Sequence, residues 1–467
     1  MVFSSAIFLL LFLPVVFVFN WFVKKEFSNY FLLLASLFFY AWGEPHLVIL
    51  MMVSIVINWI VGRLIEEQAR GQFRKKLILS LGIICNLGIL VYYKYSGFFL
   101  SIINKFLGKD VFVIPQIALP IGISFFTFQA ISYIVDVYRG DTQSSPKLVN
   151  VALYISFFPQ LIAGPIVKYR EIDKQIENRN VQWSFVAQGF RRFIYGLSKK
   201  VLISNVLGLC VDTVYTYDIS IIDWKTAWIC SLAYTFQIYY DFSGYSDMAI
   251  GLGKMFGFDI PENFNYPYLS KSISEFWRKW HISLGSWFRE YVYIPLGGNR
   301  KGAFRTYLNL SVVFFLTGLW HGADFSFILW GVYHGFFSVV ERLKLKNILN
   351  NSKFLSRTYC FLIVNFGWVL FRAPNTLLGL RMISRMILPW RYSGNEITAW
   401  NYLDNRTLFV ILCAVIGMGV IQTIIPKKRV NQWRGSIPES IYCVILLVLS
   451  LSAIASNTYN PFIYFQF

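Results

Sequence analysis

The sequence predicts an all-α polytopic membrane protein, one that crosses a membrane many times. Of its 467 residues, 56% are hydrophobic and only 14% are charged, a balance too apolar for an ordinary soluble domain. The apolar residues fall in runs close to the ~20 residues that a helix needs to cross a bilayer. Lysine and arginine cluster between these runs, so the net charge of +19 indicates cytoplasmic loops and not nucleic-acid binding.

The predicted spans follow one another with short connections. The first run, 3–23, lacks a basic leader and a cleavage pattern, so we expect a retained span with its N-terminus outside. Five basic residues in the loop 63–76 mark the cytoplasmic side, and the basic residues Arg191, Arg192, Lys199 and Lys200 precede a predicted outward span near 201–214. The other runs are 30–42, 46–61, 77–93, 121–137, 201–214, 224–255, 326–340, 358–371, 408–425 and 441–455. Together they predict roughly eleven crossings and an extracytoplasmic tail, 456–467.

Two segments depart from simple spans. The apolar run 148–167 contains Pro159 and Gly164-Pro165. Because proline removes a backbone donor and kinks a helix, we predict a broken or re-entrant piece there. The run 377–388 has the spacing of an amphipathic helix. No repeat or linker interrupts the chain, which predicts one domain over residues 1–467, and the six scattered cysteines match no zinc or redox motif.

Two of the four histidines lie in the stretch 275–321, around which we expect the rest of the chain to be organised. Apolar residues recur there at steps of three and four, which predicts one amphipathic helix through Trp277, Trp280, His281, Leu284, Phe288 and Tyr291. His281 is then either a core histidine bonded to a backbone carbonyl or a site residue. The pattern alone leaves both interpretations open.

His321 follows an almost wholly apolar run and is flanked by Gly318 and Gly322. An ionisable residue at membrane depth indicates a functional site, and the two glycines leave room for another group to approach. Burial would keep the imidazole neutral and able to accept a proton from a hydroxyl nucleophile. The alternative is a hydrogen bond that packs helices together. His334, in another apolar run, is predicted to support the site, and His46 to have no role in it.

Charged residues indicate two further features. Asp241 and Asp247, with Ser243 between them, lie in the run 224–255, where carboxylates are costly unless paired or hydrated. They either hold helices together through bonds to tyrosine and serine or contact the substrate. A glycine-rich basic turn and the helix before it could attract a phosphorylated cofactor, or they mark only the cytoplasmic side. The cations concerned are Arg278, Lys279, Arg289, Arg300 and Lys301.

Several motifs resemble those of the membrane-bound O-acyltransferase (MBOAT) family, in particular its bacterial AlgI/PatA/DltB branch. They are the segments 120–125, 158–165 and 241–248, the pair Trp280-His281 and the run Trp320-His321-Gly322. The stretches 293–302 and 317–322 are more similar to the acetyl-transferring members of the branch. The fold implied by the resemblance is an MBOAT-like ring of roughly eleven transmembrane helices around a central tunnel.

The resemblance also implies roles for individual residues. His321 corresponds to the active-site histidine of the family and His281 to the second histidine of this branch, with Trp280 and Trp320 beside them. The implied donor is a cytoplasmic thioester, acetyl-CoA above all, with no permanently bound cofactor or metal. Its acetyl group would reach a polysaccharide outside the bacterial cytoplasmic membrane through an extracytoplasmic SGNH-like acetyltransferase partner.

The last residues, 460–467, resemble the aromatic C-terminal motif of a small partner protein of the D-alanylation system. On that resemblance, Tyr464 would accept the acyl group on its phenol oxygen. Without it, an interfacial aromatic anchor is the simpler interpretation. The rival functions left open are D-alanyl transfer to teichoic acid, long-chain lipid or protein acylation, and transport of a lipid-linked sugar without covalent chemistry.

Overall fold

The structure is a computed structural model that describes residues 1–68, 71–345, 349, 352–392, 401, 403–425, 429, 432–456, 459–461 and 463. Every secondary-structure element in these residues is a helix, and the described residues contain no β-strand. This confirms the all-α class. The chain forms two compact units. The first contains Met1–Phe193 and Met248–Pro261, and the second contains Ile194–Asp247 and Glu262–Phe467.

The first unit has an aromatic core. Phe3, Phe8, Phe39 and Phe158 are fully buried, and the ring centroids of Phe3 and Phe8 lie 5.0 Å apart. The helices of this unit are α1 Leu13–Phe22, α2 Ser28–Ala41, α3 Val48–Glu67, α4 Gln72–Leu90, α5 Ser96–Leu107, α6 Ile123–Arg139, α7 Leu148–Ser156, α8 Phe158–Leu161 and α9 Tyr169–Glu177.

The second unit contains all the predicted site residues. Two long helices, α10 Trp183–Ser198 and α12 Trp224–Met255, contribute residues to both units. The remaining helices belong to the second unit and are α11 Asn205–Thr216, α13 Ile273–Lys279, α14 Ile282–Phe288, α15 Gly302–His321, α16 Phe325–Val340, α17 Lys353–Arg372, α18 Thr376–Ile387, α19 Asn405–Val415, α20 Ile421–Ile424 and α21 Ile437–Ser456.

Five helical stretches in the described part of the chain are long and apolar enough to cross a membrane. They are Val48–Glu67, Gln72–Leu107, Trp183–Thr216, Lys353–Arg372 and Ile437–Ser456. Two shorter apolar helices, Phe8–Phe22 and Asn405–Val420, accompany them. These lengths support a protein with several spans, and the finer count of crossings stays a prediction.

The two predicted departures from simple spans are present. The run 148–167 is broken at Phe157 (φ −54°, ψ 112°), between α7 and the short α8 that carries Pro159. The amphipathic run forms α18, which buries Gly379, Met382 and Met386 on one face. Proline therefore acts here as its backbone chemistry requires, at the start of a new helix.

Lys199 and Lys200, which were predicted to precede a span near 201–214, lie inside a longer helical stretch. Both belong to a π-helical turn, Lys199–Ser204, inside the continuous helical stretch Trp183–Thr216. The reason is pairing: Lys199 Nζ lies 2.6 Å from Asp247 Oδ2, and Lys200 Nζ lies 2.6 Å from Asp241 Oδ1. Opposite charges that meet between helices reduce the cost of placing each one in an apolar setting.

Candidate active site

The predicted single helix over 277–291 is broken at His281. Helix α13 ends at Lys279, Trp280 is extended (φ −103°, ψ 128°), and His281 adopts a left-handed backbone (φ 46°, ψ 55°) before α14 begins at Ile282. A non-glycine residue in this conformation is strained and persists only where its surroundings hold it. The apolar spacing was misleading because two short helices in succession can keep the same period.

The segment that contains Asn263 and Asn265 forms hydrogen bonds with backbone groups that the break leaves without helical partners. The backbone N–H of Asn265 donates to the Lys279 carbonyl at 3.0 Å, and the N–H of Ile282 donates to the Asn263 carbonyl at 3.0 Å. These bonds satisfy backbone groups at the two facing helix ends. The structure thus holds His281 on a constrained turn and not on a helix face.

The Asn263 side chain fixes which nitrogen of His281 carries the hydrogen. Its Oδ1 accepts from the Ser283 backbone N–H at 3.2 Å and from Ser283 Oγ at 2.9 Å, and His281 Nδ1 lies 3.1 Å away. Because a backbone N–H can only donate, Oδ1 is an acceptor, and Nδ1 must donate to it. Burial lowers the pKa of His281 to about 3, so the ring is neutral at ordinary pH with its lone pair on Nε2.

We expect Asn263→Asp to move the acidic limb of the pH–activity profile to higher pH. A carboxylate at Oδ1 would still accept from His281 Nδ1, but its negative charge favours the imidazolium and therefore raises the pKa of the ring. The profile of transfer rate against pH measures this shift. Asn265→Asp is the matched control, because Asn265 is exposed on the same segment. Identical profiles for the two variants would show that ionisation of His281 does not govern the rate.

His321 is the last residue of α15, and its side chain is only 5% exposed. Its ring centroid lies 5.0 Å from that of Trp320 and 5.1 Å from those of Trp330 and Phe371. The Trp320 ring is also 5.9 Å from His281. The structure therefore brings the two predicted histidines into contact with one tryptophan, Trp320, among largely apolar rings.

Glycine allows α15 and α16 to approach closely next to His321. A Cβ at Gly318 would lie 2.4 Å from the Phe327 carbonyl oxygen, and one at Gly331 would lie 3.1 Å from Gly318 Cα. At Gly322, an added Cβ would lie 2.2 Å from the Phe327 ring. A neighbouring helix, α16, occupies the space beside the two glycines that we expected another group to approach.

His334 and His321 both contact the ring of Trp330. His334 is fully buried in α16, with its ring centroid 5.1 Å from that of Trp330 and 5.0 Å from that of Trp277. Among the residues that the structure describes, neither of its ring nitrogens has a hydrogen-bond partner. The ring also packs against Gly367, where an added Cβ would lie 2.4 Å from His334 Nε2.

Each of the two carboxylates of α12 is paired with a lysine. Asp241 is fully buried and faces Lys200, while Asp247 is 7% exposed and faces Lys199. Ser243, between them in sequence, is also buried. Asp241 makes one more contact: its Oδ2 accepts from the backbone N–H of Ile463, near the end of the chain, at 2.9 Å.

Of the five predicted phosphate-binding cations, Arg278 lines a cavity in the described part of the chain. Arg278 borders a cavity of about 600 Å³ that three other cations and two carboxylates also line, namely Lys271, Arg342, Lys353, Glu275 and Glu341. Lys279 instead pairs with Glu275 at 2.7 Å. The side chains of Arg289, Arg300 and Lys301 are exposed and do not line this cavity.

Several residues that build the site were not predicted, because they are distant from the histidines in sequence. Asn263 lies in an irregular polar segment with no periodicity, so no pattern distinguished it from a loop residue. Lys271, Arg342 and Lys353 come from three separate elements and meet only in the folded chain. Trp280 was found, and it packs 4.7 Å from Trp368, a residue that had no local signal.

Membrane-length helices and three buried imidazoles, those of His281, His321 and His334, define an integral membrane protein equipped for proton-transfer chemistry. The chain belongs to the membrane-bound O-acyltransferase (MBOAT) family, whose sequence model matches residues 140–383, a range that includes all three histidines. It is therefore a multi-pass membrane acyltransferase. The family predicted from the sequence motifs is confirmed.

Full-length relatives place the chain in the predicted branch. It is 38% identical to the "Probable alginate O-acetylase AlgI" of Azotobacter vinelandii over all of both chains. It is also 38% identical to a "Peptidoglycan O-acetyltransferase" of Helicobacter pylori, over 83% of this chain and 80% of that relative. The similarity to a "Teichoic acid D-alanyltransferase" of Bacillus subtilis is lower, at 28% identity over 46% of this chain and 56% of that relative.

Proposed function

We propose that this protein transfers acetyl groups from a cytoplasmic thioester to hydroxyl groups of an extracytoplasmic polysaccharide such as alginate or peptidoglycan. The observation that carries the proposal is the 38% identity to an alginate O-acetylase over the full length of both chains. The D-alanyltransferase relative matches only 46% of this chain, which favours acetyl over D-alanyl as the group moved.

In the proposed reaction, His321 is the general base. Its neutral imidazole removes the proton of an attacking hydroxyl while the hydroxyl oxygen bonds to the thioester carbonyl carbon. The carbon–sulfur bond then breaks, and the imidazolium returns the proton to the leaving thiolate. The products are an ester and a free thiol. His281, with its lone pair on Nε2, assists the placement of the donor or acceptor.

Acetyl-CoA is the proposed donor, and the cavity beside Arg278 is the proposed site for its phosphates. Four cations and two carboxylates line this cavity of about 600 Å³, which suits a phosphorylated ligand. Exposed Arg289, Arg300 and Lys301 would raise the local concentration of an anionic donor through long-range attraction.

Tyr464 is the proposed acyl carrier, although it lies outside the described residues. Its phenol oxygen would take the acetyl group as an aryl ester, and an SGNH-like partner outside the membrane would move that group to the polysaccharide and regenerate the phenol. The preceding residue, Ile463, is 5% exposed and bonds to Asp241. This contact supports a tail held within the second unit.

The proposed setting is the bacterial cytoplasmic membrane, with both termini on the outer side. In this arrangement, roughly eleven helices would surround a central tunnel that links the two membrane faces. The apolar surface is consistent with lipid contact: Leu10 is 68% exposed, Phe22 80% and Val444 60%. Such side chains are stable when a bilayer covers them.

The donor assay tests the proposal directly. Purified protein in lipid vesicles is supplied with labelled acetyl-CoA, and we expect free CoA thiol to appear together with a labelled ester. Unlabelled palmitoyl-CoA should compete poorly if the site takes a short acyl group. Absence of turnover would favour a transporter of lipid-linked sugars, and preference for palmitoyl-CoA would favour a long-chain acyltransferase.

A further inference from the structure

The C-terminal segment contacts Lys200 and Asp241 through its backbone. The Lys200 ammonium donates a hydrogen bond to the Pro461 carbonyl, and the backbone N–H of Ile463 donates to Asp241 Oδ2 at 2.9 Å. Both contacts use main-chain atoms, so they recognise the path of the segment and not its side chains. The two points of contact are two residues apart: the carbonyl of Pro461 and the amide of Ile463.

The two side chains that make these contacts form a buried ion pair. Lys200 Nζ lies 2.6 Å from Asp241 Oδ1, and the side chains are only 3% and 0% exposed. Burying two charges is unfavourable unless further hydrogen bonds satisfy their remaining donor and acceptor positions. The C-terminal backbone gives Lys200 an acceptor and Asp241 a donor. It therefore completes the ion pair.

A second group of contacts fixes the register of the segment. Asn205 Nδ2 donates to the Tyr459 carbonyl and to Asn460 Oδ1, both at 3.3 Å. The Tyr459 phenol donates to Asp212 Oδ2 at 2.5 Å, and an added Cβ at Gly208 would lie 2.9 Å from the phenol oxygen. A shift of one residue would break these contacts together. The register is thus set before the chain reaches the ion pair.

A cavity of about 340 Å³ borders the docked segment on one side. Tyr459, Asn460 and Asn205 line it together with residues of α19 and α21, including Thr407 and Ala453. Tyr459 and Asn460 therefore border open space, which gives this part of the segment room to leave its contacts.

We propose that Lys200 and Asp241 form a receptor for the backbone of the C-terminal segment and act as positioning residues for acyl transfer. The second part rests on the proposed role of Tyr464 as acyl carrier. Because Tyr464 follows Ile463 directly, fixing the Ile463 N–H restricts the region that the Tyr464 side chain can reach. A docked segment has already lost conformational entropy, so the carrier loses less when it reaches its reacting group. Such entropy losses account for much of a reaction barrier.

Docking is tested by chemical access to Ile463. In a full-length chain whose six native cysteines are replaced by serine or alanine, Ile463→Cys provides one thiol at the buried end of the segment. We expect the maleimide to label this parent slowly. The double change Lys200→Met plus Asp241→Leu should make labelling at least about tenfold faster, because it removes the charge-assisted hydrogen bonds that hold the segment. The double change leaves no lone buried charge, a replacement that folded proteins tolerate. Asn205→Ala, which spares the ion pair, should accelerate labelling by a smaller factor.

The neighbouring ion pair supplies a matched control. Lys199 Nζ and Asp247 Oδ2 also lie 2.6 Å apart, between the same helical segments. Lys199→Met plus Asp247→Leu should leave the labelling rate of Ile463→Cys at the parent value. Unfolding temperatures in one detergent distinguish release of the segment from general loss of structure. Labelling that stays slow in both the Lys200/Asp241 double variant and Asn205→Ala would overturn the receptor.

Acetyl transfer is measured on the same variants. Lys200→Met plus Asp241→Leu should lower transfer at least about tenfold, because the carrier is no longer held near its reacting group. Tyr464→Phe should abolish transfer yet keep labelling of Ile463→Cys slow. Fast labelling with unchanged transfer would refute the positioning role and leave the proposed function standing. Full transfer by Tyr464→Phe would refute the carrier, and the labelling rates would still decide whether the receptor exists.

Discussion

Replacing His321 with alanine is expected to lower acetyl transfer by about 10²- to 10⁴-fold, the range that a positioned general base contributes. The attacking hydroxyl would lose its proton acceptor. The rings that contact His321 belong to Trp320, Trp330 and Phe371, and none of them can accept a proton in its place.

The measurement is a single-turnover rate of ester formation from labelled acetyl-CoA, since this rate excludes slow product release. His46→Ala serves as the control, because His46 is exposed in a turn of the first unit. Unfolding temperatures should agree among wild type and both variants. If His321→Ala folds and reacts at the wild-type rate, another group is the base.

The largest expected loss of stability comes from Gly318→Ala. The added Cβ would lie 2.4 Å from the Phe327 carbonyl oxygen and 3.2 Å from Gly331 Cα, and both obstacles are backbone atoms that no rotamer change can move. Helices α15 and α16 must therefore separate, which overpacking of this kind makes unfavourable by about 1–3 kcal/mol. His321 lies within one helical turn of Gly318, so the rate of acetyl transfer should fall as well.

Thermal unfolding in detergent measures the stability part of this prediction. Gly88→Ala is the matched control, because Gly88 is a helical glycine in α4 with no atom within 4 Å of its added Cβ. Alanine there should be neutral or slightly stabilising, since glycine in a helix interior costs about 0.5–1 kcal/mol relative to alanine. Equal unfolding temperatures for the two variants would mean that α15 and α16 adjust without cost.

The all-helical class, the family and His321 could be predicted because each depends on residues that are contiguous in the chain. Apolar runs reveal spans directly, and the run Trp320-His321-Gly322 combines an ionisable group with apolar neighbours. The break at Phe157 could likewise be predicted from Pro159, because a proline ring restricts the backbone next to it and removes a hydrogen-bond donor.

The setting of His281 could not be predicted, because the break depends on a partner eighteen positions away in sequence, Asn263. Helical periodicity reports which residues are apolar, but it cannot report a backbone that leaves the helix for two residues and then resumes. The Lys200–Asp241 pair was missed for a related reason. A lysine next to an apolar run resembles a loop residue until the facing helix, with its carboxylate, is known.

The hydrogen bond between His281 and Asn263 also limits how protons can travel through this protein. A histidine that relays protons receives one at one nitrogen and releases another from the opposite nitrogen, which requires both tautomers in turn. Asn263 Oδ1 accepts from Ser283 and from His281 Nδ1 and has no proton to offer, so it holds the ring in a single tautomer. His281 can accept a proton at Nε2 only to release it from the same atom. While this hydrogen bond holds, His281 cannot pass a proton from one ring nitrogen to the other.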